Sequence, residues 1–419
     1  MSQADYTIAD QDGASFLVDI NAQLSAIVSN NSGATEPSTT YAYQWWADTS
    51  SGLLKLRNAA NSAWLEVGTL ASANLGLATA GANSDITSLS GLTTALTESQ
   101  GGTGSTTGLY GFKNRIINGQ FQIAQRATSA TITVGSTIAA GYSTVDRFYA
   151  YCTGANVTAA QVAGSGNTKN RFQITGAGSV TAVGIGQRIE ALNSYDLAGK
   201  TATLSVNISN SLLTSVTWTA YYANTADTFG TLASPTRTQI ATGTFTVTST
   251  LTNYSAQIAI PAAATTGIEI VLTVGAQTSG TWVIGNIQLE KGASKTGFDY
   301  RSYGTELALC QRYYETFGTS AVRATFGTAA AFNTTTVYAN QYFTQSKRAT
   351  PTIGFLTGSA NQYRFLANAG ASNVSSMIFV ASINNVQIQA TVGTAVTGHA
   401  GVLEGQDSLF PILQASAEL

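Results

Sequence analysis

The chain has 419 residues, more than one ordinary domain holds, and 44% of them are hydrophobic, which excludes a disordered tail. Only 10% are charged, against roughly 25% in an average soluble domain, and 41 glycines with abundant Ser, Thr and Asn fill the difference. The net charge is −2 with 19 Lys and Arg spread along the chain, which argues against nucleic-acid binding, and one histidine (His399) with two cysteines (Cys152, Cys310) leaves too few ligands for a four-ligand Cys/His zinc site.

Residues 1–69 form the first segment. Asp12 is placed to cap a helix running through Ser29, with Phe16, Ile20, Leu24 and Ile27 on one narrow stripe. Such a stripe suits either a seam between like helices or a lone helix on a small sheet. The run NNSG at 30–33 stops it. Trp45, Trp46, Leu54, Leu56 and Trp64 then fall in short strands around an SSG turn, a small meander. Phe16, Ile20, Leu24, Trp45, Trp46 and Trp64 are its expected core.

Residues 70–108 change character. They cannot bury a core alone, yet Ile86, Leu89 and Leu92 recur every three residues and Leu96 follows. Several chains wound about one axis would bury that stripe; a single linker would not. GGTGSTTG closes the segment as a flexible hinge.

From 109 to 300 the period is two. Leu204, Val206 and Ile208 share a face, as do Val216, Trp218, Ala220 and Tyr222, and Ile268, Ile270, Leu272 and Val274. Phe148, Ala150 and Cys152 alternate with Arg147, Tyr149 and Tyr151. Many such strands with Gly, Asn and Thr turns predict an antiparallel, jelly-roll-like sandwich. Residues 301–317 predict one connecting helix, TELALCQRYYETF, capped by Thr305 with Leu307, Cys310 and Tyr314 on one face. Residues 318–419 return to strands and predict a second, smaller β-sandwich at the tip. The expected fold is therefore mainly β, with a small α+β module at the N-terminus.

No apolar run approaches the roughly 20 residues of a membrane helix, so no membrane insertion is expected. MSQADYTIAD lacks the basic and apolar regions of a signal peptide, which predicts folding in a cytoplasm with both cysteines reduced.

Three stretches carry a resemblance. DQDGASFLVDINAQLSAIVSNNSGATEPSTTYAYQWWADTSSGLLKLRNAANSAWLEVG resembles the N-terminal attachment module of tailed-bacteriophage tail fibres. GANSDITSLSGLTTALTESQGGTGSTTG resembles their shaft. NRIINGQFQIAQR, DRFYAY, GNIQLEKG, YGTELALCQRYYE and KRATPTI, in that order, resemble the sugar-binding sandwich of such fibres and the helix after it. The resemblance implies a homotrimer in the virion tail, assembled in the host cytoplasm. Its N-terminus would dock on a tail or baseplate protein. Its distal domains would meet host polysaccharide or lipopolysaccharide. Ile86, Leu89, Leu92 and Leu96 would be trimer shaft contacts.

A polysaccharide-cutting fibre would need two carboxylates across a cleft. Asp146, Glu190, Asp196, Asp227, Glu269, Glu290 and Asp299 form no paired motif, so no enzyme is expected. A tailspike-like depolymerase and a purely structural connector are the alternatives. Related jelly rolls hold a structural calcium; here Asn118 keeps the first-strand motif, but Asn286 stands where an aspartate is expected, and no cofactor is predicted. Sugar binding needs exposed aromatic faces with polar neighbours. In the central domain Arg147, Tyr149, Tyr151 and Tyr221 point away from the core by period, to form a platform or to pack under a neighbouring loop, domain or chain. The tip, which a fibre anchored at its N-terminus presents outward and where adhesion is expected ahead of the central sandwich, offers Tyr338, Tyr342, Tyr363 and Arg364.

Overall fold

The computed structural model describes residues 3–71, 113–133, 141–166, 168–318, 325–406 and 411–419. The predicted shaft positions Ile86, Leu89, Leu92 and Leu96 lie outside the described residues. The chain divides into two units, residues 1–93 and 94–419. Among the described residues no helix is long and apolar enough to cross a membrane.

In the first unit helix α1 spans Gly13–Val28. Asp12 caps it as predicted: its carboxylate accepts from the backbone N–H groups of Ala14 and Ser15, two donors that the first turn leaves unpaired. Three strands follow, β1 (Trp45–Asp48), β2 (Leu53–Arg57) and β3 (Trp64–Thr69), as an antiparallel meander. Trp46 is buried and meets Trp64 at a ring separation of 5.3 Å. The expected core fails elsewhere. Phe16 and Leu24 are exposed and Ile20 is only partly covered, because α1 turns its apolar stripe outward, and Trp45 is exposed because it alternates on β1 with the inward-facing Trp46.

The second unit opens with the central sandwich. Its strands are β4 (Ser129–Ile132), β5 (Tyr149–Thr153), β6 (Val157–Ala163), β7 (Asn170–Thr175), β8 (Ala182–Ile189), β9 (Thr201–Asn210), β10 (Ser215–Ala223), β11 (Arg237–Thr246), β12 (Thr252–Ala259), β13 (Ile268–Val274) and β14 (Thr281–Lys291). They form a five-stranded sheet, β11-β10-β13-β8-β5, and a six-stranded sheet, β12-β9-β14-β7-β6-β4. The period-two residues meet between the sheets: Leu204, Val206, Ile208, Val216, Trp218, Ala220, Ile268, Ile270, Leu272 and Val274 are all buried there with Phe148, Ala150 and Cys152. A short helix, α2 (Ala191–Ser194), links β8 to β9.

The connecting helix α3 spans Tyr303–Gln311, and its cap is Ser302, not Thr305. Ser302 is the last residue with extended backbone; Thr305 lies inside the first turn and meets the Ser302 hydroxyl at 2.8 Å. Cys310 is buried on α3, whereas Tyr314 has left the helix and begins β15 (Tyr314–Phe317).

The tip is a closed barrel rather than the expected sandwich. Its strands are β16 (Thr325–Ala331), β17 (Thr336–Tyr342), β19 (Tyr363–Ala367), β20 (Gly370–Ala381), β21 (Asn385–Val392) and β22 (Ala400–Gly405), ordered β16-β17-β21-β20-β19-β22 with β22 pairing back onto β16. Closure removes the free edges that an open sheet would expose. A small sheet, β15-β23-β18, built from β18 (Thr352–Thr357) and β23 (Ile412–Ser416) around β15, joins barrel and sandwich.

Several of the sequence motifs singled out above converge on this junction. Arg126 from NRIINGQFQIAQR, Arg147 from DRFYAY, and Tyr313 and Tyr314 from QRYYE all surround Glu418. Arg348 from KRATPTI donates to the carbonyls of Ala417 and Glu418. Lys347 beside it is buried, bonded to Glu315 at 2.5 Å and to the Gln311 carbonyl at 2.6 Å.

Candidate functional site

The outer face of the five-stranded sheet is built in three rows. Strand register places Tyr151, Gly184, Thr273, Thr217 and Thr244 across the first. Tyr149, Gly186, Val271, Thr219 and Thr242 make the second. Arg188, Glu269, Tyr221 and Gln239 make the third.

The two glycines explain how the tyrosines lie. A Cβ on Gly184 would stand 2.2 Å from the Tyr151 ring, and one on Gly186 would stand 2.3 Å from Tyr149 Oη. Both rings therefore lean across β8 where it has no side chains, a close approach that only glycine permits.

Beneath them is a buried charge network. Glu269 is fully buried and accepts from Tyr149 Oη at 2.7 Å, from Arg188 Nε at 2.9 Å and from Arg237 Nη1. Arg188 spends its other nitrogens on the carbonyls of Gly230 and Leu419, each at 2.9 Å, and of Thr231. Burial, and then the Glu269 charge, hold the Tyr149 phenol well above its ordinary pKa. A buried carboxylate is tolerated only when paired and hydrogen-bonded, and this one is held from three sides.

The accessible part of the face lies next to this floor. Tyr151 and Tyr221 are partly exposed. The Arg237 guanidinium sits 3.8 Å from the centre of the Tyr221 ring. Burial raises the Tyr151 phenol pKa, Arg237 opposes that, and Tyr221 and Glu269 add to it, so the four groups share one electrostatic neighbourhood. Thr217, Thr219 and Thr273 are partly exposed, and Thr242, Thr244 and Gln239 are exposed. Among these described rows Glu269 is the single carboxylate, and it is bound by two arginines and a tyrosine.

The predicted residues divide accordingly. Tyr151 and Tyr221 reach this surface. Arg147 and Tyr149 do not. Arg147 precedes β5 with its backbone in the left-handed region (φ 73°), is fully buried, and lies 3.5 Å from the centre of the Tyr313 ring. Tyr149 lies under Tyr142 and over Gly186. They point away from the core, as their period requires, but the C-terminal segment and the junction cover them.

In the tip, Tyr363 is fully buried in the barrel core and Arg364 is paired with Glu404 at 2.8 Å, so neither offers a free face. Tyr338 is partly exposed and edge-on to Phe332 at 5.5 Å, and Tyr342 is 71% exposed.

Asn118 and Asn286 are engaged within the protein. Asn118 donates to the carbonyls of Ile123 and Asp146 and accepts from the Ile123 N–H, and Asn286 accepts from the Thr168 hydroxyl at 3.1 Å. Among the described residues no group of three His, Cys, Asp or Glu side chains is placed to hold a metal.

Sequence reasoning missed Arg237, Gly184 and Gly186. The signal for the glycines was the alternating G-x-G inside VGIGQR, a strand otherwise patterned for burial on both faces. Arg237 carried none, since its role depends on a carboxylate two strands away.

No family model matches the chain, and no curated protein matches it. Solved structures do. The bacteriophage CBA120 tailspike protein 4 enzymatically active domain is 16% identical over 43% of this chain, with a TM-score of 0.27, and the match spans 22% of that domain's own length. A putative sugar-binding protein from Bacteroides thetaiotaomicron is 14% identical over 43% of this chain and all of its own (100%), with a TM-score of 0.28. A xylan-binding domain from Paenibacillus barcinonensis is 14% identical over 34% of this chain and 91% of its own, with a TM-score of 0.25. At such TM-scores none of these likenesses bears on what this chain binds.

Proposed function

We propose that the chain is a tail fibre of a tailed bacteriophage. It is a homotrimer in the virion tail that binds host surface polysaccharide or lipopolysaccharide and does not cut it. The residues at 1–69 that resemble attachment modules support docking of the N-terminal unit on a tail or baseplate protein.

The observation that carries saccharide binding is the outer sheet face, with Tyr151 and Tyr221 partly exposed over a rigid, fully bonded floor. Flat rings take the C–H faces of sugars, and hydroxyl and amide side chains match sugar hydroxyls in both directions. Binding without cleavage is supported by the carboxylates. Glycoside hydrolysis needs two of them across the bond, and this face supplies one, tied to two arginines.

The test uses the full chain and host surface polysaccharide. The wild-type protein should retain the polysaccharide without shortening it, and a Tyr151→Ala/Tyr221→Ala variant should lose retention while staying folded. Chain shortening by the wild-type protein would overturn the non-enzymatic reading, and undiminished retention by the variant would move the site elsewhere.

A further inference from the structure

The first unit has almost no core of its own. Among its described residues only Ala26, Pro37 and Trp46 are buried apolar side chains, and no buried hydrophobic cluster includes a residue before Ile116. The cause is the orientation of α1. It turns Gln23 and Ala26 inward, while Leu17, Leu24, Ile27 and Val28 are each more than half exposed. A helix ordinarily hides such a stripe against its own domain.

The exposed stripe has a register. Leu17, Ile20, Leu24 and Ile27 are spaced three, four and three residues apart. That is the a/d spacing of a heptad seam, in which the knobs of one helix enter the holes of an identical one. Charge points the same way. Helix α1 contains no Lys or Arg, and its one acid, Asp19, is engaged with Gln11, Gln23 and the Ala9 N–H. Identical copies therefore meet along the stripe without like-charge repulsion, whereas a partner recognised by charge would find nothing to pair with.

We propose that α1 is a seam between copies of this chain, packed along Leu17, Ile20, Leu24 and Ile27. The parallel alignment of the helices rests on the homotrimer proposed above; the existence of the seam does not. A small unit that buries so little within one chain completes its core with the same stripe from its neighbours.

Full-length Ile27→Cys and Val18→Cys proteins test this. Ile27 holds a seam position, and Val18, somewhat more exposed, lies about 180° round the helix from it. The native cysteines, Cys152 and Cys310, are both buried. Mild oxidation should give a disulfide-linked dimer of the Ile27→Cys chain on a non-reducing gel, in at least about tenfold excess over Val18→Cys, as expected for residues that face each other across a seam. Equal cross-linking at both positions would mean chance collision and would overturn the seam. An oligomer by sedimentation that fails to cross-link through Ile27→Cys would overturn the seam and leave the homotrimer standing. A single chain by sedimentation would overturn both.

Discussion

The Arg126 guanidinium lies 3.4 Å from the centre of the Tyr314 ring while bonding Glu418 at 3.2 Å. Arg147 repeats the arrangement on Tyr313 and grips the other oxygen of the same carboxylate. Two arginines of the sandwich are thus pinned between the strand that leaves α3 and a residue of the C-terminal segment. Desolvated guanidinium–ring contacts of this kind contribute about 2 kcal/mol each. The contacts of the motifs that meet there are thus with one another across the junction.

Replacing Glu418 should therefore cost far more than a surface carboxylate would. Glu418→Ala leaves Arg147, which is fully buried, without its counter-charge, and Arg126 with only Asp146 at 3.9 Å. The expected loss is about 3–5 kcal/mol, the usual cost of orphaning a buried charge. Urea denaturation followed by tryptophan fluorescence reads it, and Glu418→Gln, which can still accept hydrogen bonds, should lose less.

Acid should stabilise the second unit before it harms it. Burial, only partly offset by Arg126 and Gln125, raises the Asp146 pKa to about 6. In the unfolded chain it returns to roughly 3.9. Between those values the folded state binds the proton and the unfolded state does not, so stability falls as pH rises through the window and the cost is complete above it. Two units at about 1.4 kcal/mol each make this on the order of 3 kcal/mol. Glu306 is raised by burial as well and pushes the same way. Unfolding midpoints at about pH 5 should exceed those at about pH 7.5, and Asp146→Asn should flatten most of that difference. A midpoint that rises with pH would contradict it.

The sequence carried the local features and lost the distant ones. The Asp12 cap depends on bonds to residues two and three positions on, and the sandwich core on strict alternation. Both are visible in a few consecutive letters. Alternation also said that Arg147 and Tyr149 turn from the core, but it could not say what lies on them. Arg147 is covered by Glu418, 271 residues further along, and Tyr149 by Tyr142. The barrel is another such case: closure depends on β16 meeting β22, as in Thr328 against Val402, and the same strand letters would serve an open sandwich. For α1, the stripe was legible and its direction was not. Only Gln23 and Ala26, packed inward, reveal which way it faces.

The paired glycines of β8 should separate binding from stability. Gly184→Ala puts a methyl against the ring end of Tyr151, which is partly exposed and can swing away. Stability should change by less than about 1 kcal/mol, while polysaccharide retention falls with the displaced ring. Gly186→Ala meets Tyr149, which is buried and bonded to Glu269, so the methyl has nowhere to go. Its cost should be about 1–3 kcal/mol of overpacking. Denaturation and retention assays on the two variants read both quantities, and equal effects on stability would contradict the division of the face into a rigid floor and an accessible rim.

Tyr363 provides the converse test in the tip. Its side chain is fully buried against Phe326 and Phe355, and its hydroxyl has no hydrogen-bond partner among the described residues. Burial alone pushes that phenol far above its ordinary pKa, so it stays neutral throughout the physiological range. A buried hydroxyl with no partner has given up its bonds to water without replacing them, which costs about 1–3 kcal/mol. Tyr363→Phe removes the oxygen and keeps the ring, and the barrel should gain about 1 kcal/mol or more. Tyr363→Ala deletes the ring and should lose about 3–5 kcal/mol. Because no face of Tyr363 reaches solvent, the Phe variant should retain host polysaccharide as the wild-type protein does. Thermal denaturation of the two variants beside wild type measures the stability terms. A Tyr363→Phe protein that is less stable than wild type would mean that the hydroxyl is bonded, and one that loses retention at unchanged stability would return Tyr363 to the binding surface.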